Sequence, residues 1–116
     1  MAIIIENSRV PSLLSLFFPI SAITIGPLIF IKKHNPPLSD TQHRILVNHE
    51  KIHVKQGLGL LFLGFWLLYL LFWVFALVKT RNPYEAYRDI PFEREAYCND
   101  YDLEYRPGYF SWLRYL

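Results

Sequence analysis

Hydrophobic positions follow two patterns along the chain: short β-branched runs before residue 32, and longer periodic or wholly apolar runs after residue 40. Residues 13–31 form an apolar stretch long enough to suggest a transmembrane helix, but Pro19, Gly26 and Pro27 interrupt it. Ile20-Ser21-Ala22-Ile23-Thr24-Ile25 and Leu28-Ile29-Phe30-Ile31 flank Gly26-Pro27, and this arrangement predicts two short strands joined by a turn. No basic residue precedes Arg9, which argues against a cleaved signal peptide. Residues 32–38 are a polar, proline-containing connection. Ser39 or Asp40 can then cap a helix starting near Thr41, in which Ile45, Leu46 and Ile52 face a core while Lys51 and Lys55 face water.

Residues 57–78 carry no charge, so they predict either a membrane span or a buried or interface-lying helix. Lys51 and Lys55 on one side and Lys79 and Arg81 on the other give no orientation. Asn82-Pro83 and Asp89-Ile90-Pro91 each place a capping residue before an early proline. They predict a short helix and then a second one over about 91–104, ended by Pro107-Gly108. Residues 109–116 mix aromatics with arginine, which suits either a headgroup boundary or packing onto the core. The expected fold is helix-dominated α+β: a short N-terminal β-hairpin, a helix from residue 41, a long apolar helix and a C-terminal glutamate-bearing helix.

Composition narrows this picture. At 116 residues, 1–116 reads as one minimal domain whose active site must share its only core. Hydrophobic residues make up 53% and charged residues 19%, a balance pointing to a membrane or a large partner surface. The net charge is only +2 and no Lys/Arg cluster is interleaved with aromatics, so nucleic acid is not an expected partner. Cys98 is the only cysteine, which excludes an internal disulfide.

The candidate chemistry lies in His49-Glu50-Lys51-Ile52-His53, an HExxH motif. On a helix its two imidazoles lie one turn apart on one face, the spacing that lets both bind one zinc ion. Glu50 then projects beside the open metal position, where a carboxylate can take a proton from an activated water. The plain alternative is a solvated turn with Glu50, Lys51 and Lys55 in surface ion pairs. Two histidines leave zinc short of a ligand. Glu93, in Phe92-Glu93-Arg94-Glu95-Ala96-Tyr97, is favoured over Glu95, which points to another helix face. His34 and His43 are weaker fallbacks. A charge-stabilising donor could come from Tyr84, Tyr87 or Tyr97, and the sequence indicates no clear cleft.

At these residues the chain resembles the gluzincin-type metallopeptidases, in which a glutamate on a later helix completes HExxH. "FEREAY" resembles the FExxAD stretch of the membrane-embedded CAAX-processing metallopeptidases. "ITIGPLIFI", "HEKIHVKQ" and "EAYRDIPFEREAY" together resemble small bacterial HExxH proteins, over residues 20–97. The resemblance implies a zinc site of His49, His53 and Glu93, Glu50 as general base, and an edge strand able to hold an extended peptide. It also implies Gln56 as support for a zinc ligand. Tyr97 departs from it, standing where FExxAD has an aspartate that would orient a zinc-bound histidine.

The site constrains the apolar run. A straight helix over 53–78 would rise about 37 Å, more than the roughly 30 Å hydrocarbon core, and Glu93 would emerge on the far side. The return would carry Lys79, Arg81, Glu85, Arg88 and Asp89 through lipid. The run is therefore expected to bend near Gly57, Gly59 or Gly64, or to lie in the interface. Two functions follow: a membrane-associated zinc peptidase acting on a peptide or protein substrate, or a non-catalytic small subunit of a membrane complex that keeps a peptidase-like fold.

Overall fold

The computed structural model describes residues 2–13 and 21–116. Its elements are strand β1 (Ile3–Ser8), helix α1 (Val10–Leu13), strands β2 (Ala22–Ile25) and β3 (Leu28–Lys32), helices α2 (Asp40–Gly59), α3 (Leu63–Thr80), α4 (Pro83–Asp89) and α5 (Pro91–Asn99), and a 3-10 turn (Ser111–Tyr115). This is the helix-dominated α+β fold expected.

β2 and β3 pair antiparallel across Gly26-Pro27, as their β-branched composition predicts. The expected strand start at Ile20 and the interruption at Pro19 lie outside the described residues. β1 was not anticipated. It pairs parallel with β3, which becomes the middle strand of the order β1-β3-β2. Ile3, Ile4 and Ile5 are each more than a third exposed, so β1 has no buried face to generate the alternation by which a strand is recognised. The other side of the sheet is ordered by burial: Ala22, Ile29 and Ile31 close against Val54 of α2.

Ser39 caps α2 through a full capping box. Its side chain accepts from the Gln42 N–H, and the Gln42 side chain accepts from the Ser39 N–H. The apolar run then turns a corner, as the site required. α2 ends at Gly59, and Leu61 and Phe62 take left-handed φ of 56° and 58° before α3 begins. Two glycines make the corner possible. A Cβ on Gly57 would lie 2.7 Å from the Phe62 ring, and one on Gly59 would lie 2.8 Å from the Tyr109 carbonyl oxygen.

α3 is long and apolar enough to cross a membrane. Its inner face meets the second core, formed by Phe65, Ile90, Phe92 and Trp112. Leu63, Leu67, Leu70, Leu71, Val74, Phe75 and Val78 form an outer stripe at helical spacing, and all are exposed. α4, capped by Asn82, packs against α3, where Trp73 Nε1 donates to the Pro83 carbonyl. α5 ends at Asn99, five residues before the expected Glu104. The Asn99 amide donates to the Glu95 carbonyl, and the backbone continues in turns that pair Asp102 N–H with Asn99 and Tyr105 N–H with Asp102. An asparagine that bonds its own helix's carbonyl competes with continuation. Residues 109–116 return to the core through Trp112, which packs edge-on to Phe72 and Phe92.

Candidate metal centre

α2 carries His49, Glu50 and His53 on its buried face, so the solvated-turn reading of HExxH is wrong. All three are 5% exposed, and Glu50 pairs with neither Lys51 nor Lys55. α5 brings Glu93 to the two imidazoles. Glu93 Oε1 lies 3.0 Å from His49 Nε2 and 3.1 Å from His53 Nε2, and the two nitrogens are 3.2 Å apart. Glu95 faces away, as the helix geometry predicts. His34 lines the adjoining cavity and His43 pairs with Glu6 at the surface, so neither fallback joins the cluster.

The hydrogen bonds behind each imidazole fix what its Nε2 presents. His49 Nδ1 lies 3.0 Å from Asp100 Oδ2, and His53 Nδ1 lies 2.8 Å from Gln56 Oε1. Both partners are acceptors, so each Nδ1 carries a proton, and a ring holding only that one turns a bare Nε2 lone pair inward. Three lone-pair atoms thus converge at 3.0–3.2 Å, a repulsive arrangement unless protons or a cation lie among them. Tetrahedral N/O ligands at about 2.0 Å from zinc stand about 3.3 Å from one another, close to this triangle. His49, Glu50 and His53 form a group able to hold a metal ion. The closer triangle has Glu93 in place of Glu50, and that leaves the Glu50 carboxylate beside it.

Asp100 fills the gap that Tyr97 left. It follows Glu93 by seven residues, two helical turns on the same face, whereas the expected aspartate position is four residues on. The Tyr97 ring instead stands edge-on to His49 at 4.4 Å, and its hydroxyl is 2.7 Å from that of Tyr87. Tyr69 of α3 was also missed. Its hydroxyl donates to Glu93 Oε2 at 2.7 Å, leaving Oε1 for the cluster. Its only signal in the sequence is a hydroxyl in the middle of an apolar helix.

The charges are tightly coupled. Burial opposes the imidazolium of His49, but the Asp100 hydrogen bond and Glu93 outweigh it and push the group up to about 10. Burial likewise opposes charge on His53, and Glu93 overcomes it. Burial also works against ionised Glu93, yet the adjoining histidines hold it well below the usual carboxylate range. Burial raises Glu50 above that range despite the two histidines. Thr24 of β2 donates to its Oε2 at 3.1 Å.

A cavity of about 830 Å³ opens on the cluster, so the absence of a cleft expected from the sequence is also corrected. Tyr84, Tyr87, Tyr97, Trp66 and Tyr69 line it together with all of β2. The Lys32 N–H bonds the Ser21 carbonyl, a register that turns the backbone groups of residues 21, 23 and 25 toward β3. Those of Ala22 and Thr24 face the free edge, where no backbone group among the described residues pairs with them. No known protein family, curated protein or solved structure matches the chain.

Proposed function

We propose that this protein is a membrane-associated, gluzincin-like zinc peptidase, with His49, His53 and Glu93 as ligands and Glu50 as general base. The observation that carries the reading is the convergence of His49 Nε2, His53 Nε2 and Glu93 Oε1 at 3.0–3.2 Å, with a buried carboxylate beside them and a cavity in front. Bound zinc would polarise the scissile carbonyl and acidify a water. Glu50, raised by burial and steadied by Thr24, takes a proton from the attacking water and returns it to the leaving amine. An extended peptide adds to the free edge of β2 through Ala22 and Thr24, which holds its scissile bond across the cluster. The Tyr87–Tyr97 hydroxyl pair stands on the cavity wall, where a donor can meet the developing oxyanion.

Membrane association is supported by the outer stripe of α3. The helix lies along the surface rather than across the bilayer: α4 packs on it, and a span would carry Glu85, Arg88 and Asp89 into lipid.

The test is cleavage of a peptide library by zinc-loaded wild type and Glu50→Gln. Cleavage lost in the variant while zinc stays bound supports the reading, and undiminished cleavage overturns it. Zinc bound by both with cleavage by neither leaves the non-catalytic subunit, which the same apolar stripe would serve as a docking face.

A further inference from the structure

The two histidines are held from behind in different ways. His49 bonds a carboxylate, which offers only acceptors; His53 bonds the amide of Gln56, which can be turned over. With its carbonyl toward Nδ1, the amide keeps the proton there and leaves Nε2 bare. Turned over, its NH₂ would face Nδ1 and drive the proton to Nε2, where it would block a metal.

What prevents the turn lies on the far side of Gln56. Its Nε2 donates to the Phe92 carbonyl at 3.0 Å and to Glu95 Oε1 at 2.9 Å. Both partners are acceptors, so only one amide orientation satisfies every group. Glu95 is fully buried, and none of the ion pairs among the described residues involves it. Its other oxygen accepts from the Tyr105 hydroxyl at 2.7 Å and from Ser111 Oγ. Those hydroxyls belong to the segment 101–116, which buried Trp112, an Arg94 Nη1 bond to the Tyr115 carbonyl and an Asn99 bond to the Tyr115 hydroxyl hold in place. A plug of the core would be better served by an apolar side chain, since a buried carboxylate is costly to desolvate.

We infer that Glu95 is a positioning residue, which acts through Gln56 to fix the tautomer of His53 and so makes the segment 101–116 part of the metal centre. The inference rests on reading His49, His53 and Glu93 as that centre.

The experiment measures Co²⁺ affinity by chelator competition and the visible Co²⁺ spectrum, alongside thermal melting, for the full chain. Glu95→Met removes the acceptor and is expected to weaken Co²⁺ binding about 10- to 100-fold with an altered spectrum. Glu95→Gln keeps an acceptor oxygen and is expected to restore wild-type affinity. Tyr105→Phe with Ser111→Ala leaves Glu95 with Gln56 alone and should weaken binding several-fold. Ile31→Val, which weakens the sheet core and lies outside the segment 101–116, should lower Tm and leave affinity unchanged. The inference is overturned if Glu95→Met binds as wild type does, or loses no more affinity than Ile31→Val. Should Glu95→Met not fold, undiminished binding by the Tyr105/Ser111 double variant overturns it instead. A wild type that binds no Co²⁺ would strike the metal reading itself, a different result from a binding wild type whose affinity Glu95 does not affect.

Discussion

α2 and α3 are consecutive helices of similar length separated by a three-residue corner, yet they treat their side chains in opposite ways. α2 buries polar groups, His49, Glu50, His53 and Gln56, and each has a partner. α3 leaves an apolar stripe outside, from Leu63 to Val78, and buries only Phe65 and Ala76. Both arrangements are expensive for a protein folded alone in water: buried polar atoms must be desolvated, and exposed leucines gain nothing from folding. Stability is therefore concentrated in neither feature. It resides in the aromatic core between them, where Phe92 of α5 touches Phe65, Tyr69 and Phe72 of α3 as well as Trp112.

The largest effect is expected in the core: Phe92→Ala should cost about 3–5 kcal/mol of stability, whereas Leu67→Ser on the outer stripe should cost less than about 0.5 kcal/mol. Urea unfolding of the two variants compares them directly, and equal losses would mean that the stripe is packed. Next comes the membrane. Replacing Leu67 and Leu71 together with serine removes about 1.5 kcal/mol of apolar burial each, so binding to phosphatidylcholine vesicles should fall about a hundred-fold in a flotation assay while zinc binding is unchanged. Vesicle binding that survives the change would take α3 out of the interface.

A smaller effect is expected behind the metal centre. Asp100→Asn can hold His49 with its amide oxygen but loses the charge, and should weaken zinc about ten-fold, at the low end of the usual range for outer partners. Isothermal titration reads this, and an unaltered affinity would detach Asp100 from the site. The smallest is a pH trend in metal-free protein. His49, raised from 6.5 to about 10, contributes stability that is complete below pH 6.5 and is lost as pH rises toward 10. Glu93, held below its ordinary 4.5, contributes stability present above pH 4.5 and lost as pH falls beneath it. Tm should therefore be highest between pH 4.5 and 6.5. Zinc, competing with protons for the same nitrogens, should move that maximum upward. A metal-free Tm still rising between pH 7 and 9 would contradict the charge arrangement.

The sequence disclosed features whose signal is local. The Ser39 cap, the Gly26-Pro27 hairpin and the one-turn spacing of His49 and His53 depend on neighbours within a few residues. The bend near Gly57 and Gly59 followed from the demand that Glu93 return to the histidines. Helix geometry showed only that Glu93 and Glu95 cannot both face one metal, and the preference for Glu93 rested on the pattern around Ala96 and on the FExxAD resemblance. Features that depend on distant partners were hidden. β1 is defined by pairing with β3, and Tyr69 by a glutamate 24 residues away. Asp100 carries no local signal: the FExxAD pattern has its aspartate four residues after the glutamate, whereas Asp100 lies seven residues after Glu93 on the same helical face.

Zinc bound per chain, measured by atomic emission after reconstitution and exhaustive dialysis of wild type, His53→Ala and Glu93→Gln, decides whether His49, His53 and Glu93 together hold one metal ion. One zinc per wild-type chain and almost none in either variant is expected. A wild type without zinc, or a Glu93→Gln protein that retains a full equivalent, would contradict it.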